Sequence, residues 1–286
     1  MSAFDDRAAL LAELTRLAEG ASRLVLEVYA TPFEVEEKAP RDLVTLADKR
    51  ANAFLVEGLA RAFPGVPVVA EESPAADFEG FFRAPACFFV DPLDGTSEFV
   101  DRNGEFVVMI GLTERGRPTA GVVLAPVTGE VFRGSVADPA RGRPSIAELL
   151  SNEGGARPLA LTTRTKLEGS RFVASHRRRT PALEAFLAGV PEAIMQPLGS
   201  AGLKAVAVAS GRADAFVHLG TAGKLWDSCA TEAVVTAAGG VVTDALGRPL
   251  VYDTPDLLLA SGVVMANAAL HEAILARLIT KAVLPA

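Results

Sequence analysis

The sequence predicts a layered α+β / α/β fold built as two halves of one chain, and three observations carry that prediction. Two apolar stripes recur at helical spacing near the N-terminus. A series of short apolar runs separated by turn residues follows them. After about residue 156, strand-like and helix-like segments alternate. With 286 residues, 50% hydrophobic and 22% charged, the chain has the composition of a globular protein long enough to bury a sizeable core.

Leu10, Leu11, Leu14, Leu17, Ala21, Leu24, Val25 and Val28 line one face of a helix over Asp5–Tyr29, which a polar stretch with Pro32 and Pro40 ends. Ala51, Phe54, Leu55, Leu59 and Ala62 do the same over Asp48–Phe63, stopped by Pro64 and Gly65. The runs Val66–Ala70, Ala86–Val90, Phe106–Leu112, Thr119–Leu124 and Gly129–Gly134 then read as an antiparallel sheet, with a turn at Glu114–Arg117. A segment rich in Arg, Gly and Pro, Asp138–Ala156, marks a boundary. Residues 1–140 are thus expected to form an α+β half and 141–286 an α/β half. In the second half we expect strands at Arg171–Ala174, near Ile194 and at Ala213–His218. Helices are expected at Thr180–Ala188, Leu203–Ala209 and Ser228–Ala238, the last closed by Gly239 and Gly240. A hairpin around Leu246–Arg248 and a final helix capped near Asn267 complete the order.

Charge and cysteine content narrow the function. Lys and Arg number 28 against 35 Asp and Glu, a formal charge of −7. Such a balance argues against a nucleic-acid polymer as partner, which wants a basic surface, but leaves room for a small phosphorylated ligand. No apolar run reaches the roughly 20 residues of a membrane span; Leu257–Leu270 comes nearest, and Ser261 and Asn267 interrupt it. Asp5 and Asp6 stand where a signal peptide would carry basic residues. Cys87 and Cys229 make no disulfide framework. The expectation is a cytoplasmic protein, monomer or homodimer.

The informative residues are acids where strands stop and helices begin. Glu71 and Glu72 follow one apolar run, Asp91 follows another with Asp94 three residues on, and Asp227 opens a helix. Pro92 holds Asp91 extended, and the turn through Leu93 brings Asp94 back beside it. Clustered carboxylates repel one another unless cations fill the cluster, and hard oxygen ligands suit Mg²⁺. Each acid also has an ordinary alternative: a turn dipeptide for Asp91–Asp94, a surface pair for Glu71 and Glu72, a helix N-cap for Asp227. Gly95 and Thr96 add accessible backbone N–H groups at a helix start, an anion site.

Taken together, DLVTLAD (Asp42–Asp48), EES (Glu71–Ser73), DPLDGT (Asp91–Thr96) and WDSCATEAVVTAAGG (Trp226–Gly240) resemble the Mg²⁺-dependent, lithium-sensitive phosphatase superfamily that includes inositol monophosphatase. The resemblance runs from about Lys38 to the C-terminal strands. It implies an αβαβα layered sandwich with the active site between the halves. It also implies two or three Mg²⁺ held by Glu71, Asp91, Asp94, Asp227 and the Leu93 carbonyl. Asp48 and Thr96, with Glu71, would be the catalytic residues that activate the attacking water. Within the superfamily, SEFVDRNGEFVVMIGL (Ser97–Leu112), VASHRRR (Val173–Arg179) and GSAGLK (Gly199–Lys204) resemble the 3′(2′),5′-bisphosphate nucleotidases. That likeness implies substrate contacts at Gly95, Thr96, Ser97, His176, Ser200, Lys204 and His218, a nucleoside bisphosphate substrate and a place in sulfur assimilation. DLVT and Ser97 depart from that branch, DLVT being closer to the inositol phosphatases. A nucleoside bisphosphate carries about four negative charges, and His176, Arg177–Arg179 and Lys204 are a local basic supply for it. His271 reads as structural. The competing readings are an inositol monophosphatase-like enzyme on the same metals, a non-catalytic nucleotide or metal sensor, and a carboxylate-pair glycosidase.

Overall fold

A computed structural model describes residues 4–39, 42–151, 154–177 and 180–280. The chain begins with α1 (Arg7–Tyr29), whose Asp6 side chain caps it by accepting the Ala9 N–H at 2.9 Å. An antiparallel pair, β1 (Val35–Ala39) and β2 (Asp42–Thr45), leads into α2 (Leu46–Ala62). Next come β3 (Val68–Ala70), β4 (Ala86–Asp94), a one-turn helix α3 (Thr96–Val100), β5 (Val107–Glu114), β6 (Arg117–Ala125), β7 (Glu130–Ser135), β8 (Ile146–Ser151) and β9 (Gly155–Pro158). The second half runs β10 (Arg171–Ala174), α4 (Pro181–Ala188), β11 (Ile194–Pro197), α5 (Ala201–Ala209), β12 (Ala215–His218), α6 (Leu225–Ala237), β13 (Val241–Thr243), β14 (Val263–Ala266) and α7 (Ala268–Thr280).

Seven strands, β3 to β9 in sequence order, form the first sheet; five form the second, in the order β11-β10-β12-β14-β13. Helices α1 and α2 pack together and cover one face of the first sheet through Leu10, Leu14, Leu17, Leu55 and Leu59, all buried. Between the sheets lie α5 and α6 with the largest apolar cluster, and α4 and α7 cover the outer face of the second sheet. The order is therefore αβαβα, as the resemblance implied. Gly111 and Gly121 explain how closely α6 lies on β5 and β6. A Cβ on either would come within 2.5 Å of the backbone at Ala230, and that approach sets the depth of the residues one turn earlier on α6.

Several expectations need correction. The first sheet is not wholly antiparallel, since β3 pairs parallel with β4. It also runs past the boundary expected at residue 140: the segment read as a linker supplies β8 and β9, because Ile146, Leu149 and Leu150 pack against the sheet core. The turn at Leu246–Arg248 exists, tied by Asp244, which accepts the Leu246 and Arg248 N–H groups. It does not close a hairpin, because the partner of β13 is the distant β14. Helix α6 starts at Leu225, so Asp227 is its third residue and not its cap. No helix among the described residues is long and apolar enough to cross a membrane.

Candidate active site

The site is built where β4 ends. Asp91 pairs with Met109 and Asp94 with Val107, so three steps along β4 match two along β5. Residues three apart on a regular strand face opposite sides; the extra residue of this bulge returns Asp94 to the side of Asp91. Pro92, without an N–H to offer the ladder, sits inside the bulge, and Asp91 Oδ1 accepts the Leu93 N–H at 3.0 Å. Gly95 then turns the chain at φ 103°, where a Cβ would come within 2.9 Å of the Glu105 carbonyl oxygen.

Two helices point further acids at the same place by the same device. Asp48, third residue of α2, accepts the Thr45 N–H at 2.8 Å and the Thr45 hydroxyl at 2.6 Å on Oδ2. Its Oδ1 lies 3.1 Å from the Thr96 hydroxyl, which also reaches the Leu93 carbonyl at 3.3 Å. Asp227, third residue of α6, accepts the Lys224 N–H at 2.5 Å on Oδ2. In α2 a capping box fixes the acid's orientation; in α6 the Lys224 N–H fixes it without a reciprocal bond, since an ammonium at the N-cap cannot accept in return.

Asp91, Asp94 and Asp227 bring one carboxylate oxygen each within 4.8 Å of one another, a group able to hold a metal ion. Asp91 is 1% exposed. Burial first, then the charges of Glu71, Asp94 and Asp227, hold its carboxyl well above the usual carboxylate range. Glu71 is pushed up to about 8 by burial and by Asp227 and Glu72, against the pull of Lys38 and a hydrogen bond with Asp91. Lys38 lies 2.6 Å from Glu72 and 4.0 Å from Glu71. Asp48 is also raised, chiefly by burial, although the Thr45 and Thr96 hydrogen bonds oppose it. A cluster of acids that resists ionisation by itself, with an all-oxygen donor set, fits a hard divalent cation.

Glu71, Asp91, Asp94 and Asp227 line a cavity of about 300 Å³; Asp48 is not in its wall and reaches it through the Thr96 hydroxyl. Gly95, Thr96, Ser97, Ser200, Lys204 and His218, the expected substrate contacts, line it too. Two of them have partners the sequence did not disclose. Ser200 donates to Asp94 Oδ2 at 2.5 Å, joined there by the Gly202 N–H at 2.6 Å. The buried Lys204 ammonium donates to the carbonyls of Leu198, Gly199 and Ser200 at 3.4, 3.3 and 2.5 Å, and so holds the turn that carries Ser200. His218 Nε2 lies 2.9 Å from the Thr221 carbonyl. His176 is not part of the cavity wall; its neighbours Ser175 and Arg177 are, and its ring is bonded to Glu105. Arg177 pairs with Asp101, while Arg178 and Arg179 lie outside the described residues. His271 is buried against Thr243 at 2.9 Å, a structural place. Sequence reasoning missed Lys224, whose ammonium stands 4.8 Å over the Trp226 ring at the cavity wall. Its only signal was a position three residues before Asp227.

An αβαβα sandwich holding an acid cluster between its halves defines a class, the phosphoric monoester hydrolases with a carboxylate-lined centre. The chain belongs to the inositol monophosphatase family, whose pattern matches residues 6–283. It is 32% identical over 255 residues to the 3′(2′),5′-bisphosphate nucleotidase CysQ of Shigella flexneri, covering 88% of this chain and 98% of that one. Among solved structures, the inositol monophosphatase of Anabaena superposes with a TM-score of 0.75 at 26% identity, over 96% of this chain and 97% of the other. CysQ of Bacteroides thetaiotaomicron, a bacterial member of the same family, superposes with a TM-score of 0.72 at 28% identity, over 91% and 97%.

Proposed function

We propose that this protein is a Mg²⁺-dependent 3′(2′),5′-bisphosphate nucleotidase that converts adenosine 3′,5′-bisphosphate to AMP and phosphate. The observation that carries the reading is a single cavity with charges of both signs in its wall: the carboxylates of Asp91, Asp94 and Asp227, and the cations of Arg177 and Lys224. A substrate with two phosphates suits both sets. The scissile phosphate goes with the cations that the acids hold, and the other phosphate meets the basic side chains. The likeness to proteins named bisphosphate nucleotidase over most of the chain supports the same choice.

Glu71, Asp91, Asp94 and Asp227, with the Leu93 carbonyl, would hold the Mg²⁺. When bound, the cations neutralise phosphoryl charge and make water more acidic. The chain's own residues do the rest. Asp48 Oδ1, with the Thr96 hydroxyl beside it, receives the proton of the attacking water and orients it for in-line displacement. Backbone N–H groups at Gly95 and Thr96 steady the phosphoryl oxygens. No side chain becomes phosphorylated; positioning and charge neutralisation supply the rate.

Phosphate release from adenosine 3′,5′-bisphosphate and from inositol 1-phosphate, run in parallel with Mg²⁺ and with chelator, tests the reading. Metal-dependent turnover much faster on the bisphosphate is expected. Faster turnover on inositol 1-phosphate would favour the second reading, an inositol-phosphate phosphatase, which the DLVT segment at Asp42–Thr45 and the likeness to the Anabaena enzyme support.

A further inference from the structure

The RNGEF segment, Arg102–Phe106, contributes no carboxylate to the acid cluster and no residue to the cavity wall, yet each of its four side chains has a definite job, Gly104 having none. Arg102 sits at φ 57° and donates to the carbonyls of Tyr29 and Thr31, at 2.6 Å each, at the end of α1. Its guanidinium also stacks on the Tyr29 and Phe33 rings at 5.4 and 5.0 Å. Asn103 Oδ1 accepts the Glu105 N–H at 2.9 Å, and Phe106 is fully buried between Tyr29 and Phe99. The loop is therefore rigid on its inner side. What it presents outward is the Glu105 carboxylate.

One oxygen of that carboxylate, Oε2, meets two segments of the other half of the chain. His176 Nε2 lies 2.7 Å from it, and the Gly199 N–H donates to it at 2.6 Å. Gly199 permits this approach, since a Cβ there would come within 2.9 Å of Oε2 and 2.5 Å of Glu98 Cγ. The next residue, Ser200, is the one bonded to Asp94. We infer that Glu105 is a positioning residue for substrate choice: it clamps the His176 loop and the Gly199–Ser200 turn of the second half onto the first. A carboxylate can only accept, so in the clamped form it is Nε2 of His176 that carries the proton donated to Glu105. The inference rests on the nucleotidase reading, in which His176 is a substrate contact; its ring lies outside the cavity wall, between Ser175 and Arg177, which are part of it. A carboxylate at this point makes the ring's orientation a property of the RNGEF segment, 71 residues away in sequence.

Glu105→Gln and Glu105→Ala test it, each alone and combined with His176→Ala, on adenosine 3′,5′-bisphosphate and inositol 1-phosphate. Loss of a charge-assisted hydrogen bond should raise KM for the bisphosphate about 10-fold with little change in kcat. The preference for bisphosphate over inositol phosphate should fall by the same factor. Once His176 is alanine, Glu105→Ala should add less than about twofold, because the two residues act as a unit. Nitrogen NMR of His176 should show the Nε2-protonated tautomer in the wild type and a tautomer mixture in Glu105→Ala. A wild type that prefers the bisphosphate while Glu105→Gln leaves KM unchanged overturns the inference alone. Equal loss on both substrates, or additive effects with His176→Ala, also overturns it and makes Glu105 merely structural. A wild type that prefers inositol phosphate overturns the nucleotidase reading, and this inference with it.

Discussion

The Thr96 hydroxyl lies 3.1 Å from Asp48 Oδ1, joining the start of α3 to the start of α2 across 48 residues of sequence. The other Asp48 oxygen is held by Thr45, so the carboxylate cannot rotate away from Thr96. The pair is thus oriented before any ligand arrives, which is what a proton acceptor needs. Asp48→Asn keeps an oxygen for the Thr45 N–H and the capping box while removing the proposed base. We expect kcat to fall by about 10²-fold or more, with the circular dichroism spectrum unchanged. Thr96→Val should fall less, and the double variant should lose little beyond Asp48→Asn.

Asp91→Asn removes a fully buried carboxyl whose ionisation its neighbours oppose. Turnover should be lost. The metal-free variant should melt above metal-free wild type, because the cost of burying an ionisable carboxyl, and of placing it beside other acids, has gone. Added Mg²⁺ should raise the wild-type melting temperature by the stabilisation that native-state binding brings and leave that of Asp91→Asn nearly unmoved. Thermal melts with Mg²⁺ and with chelator check both statements, and near-normal turnover in a folded variant would contradict the site.

Lys224 is clamped by the Trp226 ring, whereas the Lys204 ammonium is spent on three backbone carbonyls. On the nucleotidase reading, Lys224 is the one of these two lysines left to meet the second phosphate. Lys224→Met should raise KM for adenosine 3′,5′-bisphosphate about 10-fold and change inositol 1-phosphate kinetics much less. The salt dependence of KM for the bisphosphate should also weaken. Steady-state kinetics at two ionic strengths read out both.

Glu232 on α6 is buried with the Tyr252 hydroxyl donating to it at 2.8 Å and Arg117 at 3.2 Å. Burial raises its carboxyl from 4.5 to about 7, beyond what Tyr252 and Arg117 pull back. The folded state therefore holds this proton more tightly than the unfolded chain does. Stability on its account is full below about pH 4.5 and falls as pH rises through about 7. The loss is on the order of 3 kcal/mol at high pH. Denaturant unfolding of Glu232→Gln against wild type should give curves that diverge from pH 5 to pH 8, with the variant more stable at the alkaline end. Parallel curves would refute it.

Much of the site was legible because its acids sit at places that local chemistry marks: a strand end before Pro92, a glycine turn at Gly95, and helix starts at Asp48 and Asp227. The small polar partners were not legible. Neither the Ser200 hydroxyl on Asp94 nor the Lys204 ammonium on its own turn follows from their neighbours in sequence, since each depends on how deeply α5 sits against β4 and β5. Lys204 read as a phosphate contact through the likeness of Gly199–Lys204 to the bisphosphate nucleotidases, and a motif does not tell which way an ammonium points. The strands β8 and β9 were hidden because the Arg, Gly and Pro residues just before β8 and within β9 made the whole segment read as a linker.

Periodicity, turn residues and motif spacing are local properties, and through them the chain alone specified its layered class, its element order and the identity of the acids. Which carboxylate oxygens converge within 4.8 Å, which lysine faces the cavity and which residue holds His176 are matters of packing. They arise only when α6 settles on Gly111 and Gly121 and the bulge at Asp91–Asp94 turns two aspartates to one side. The energy of such contacts comes from burial and from neighbours distant in sequence, so no window of residues contains it.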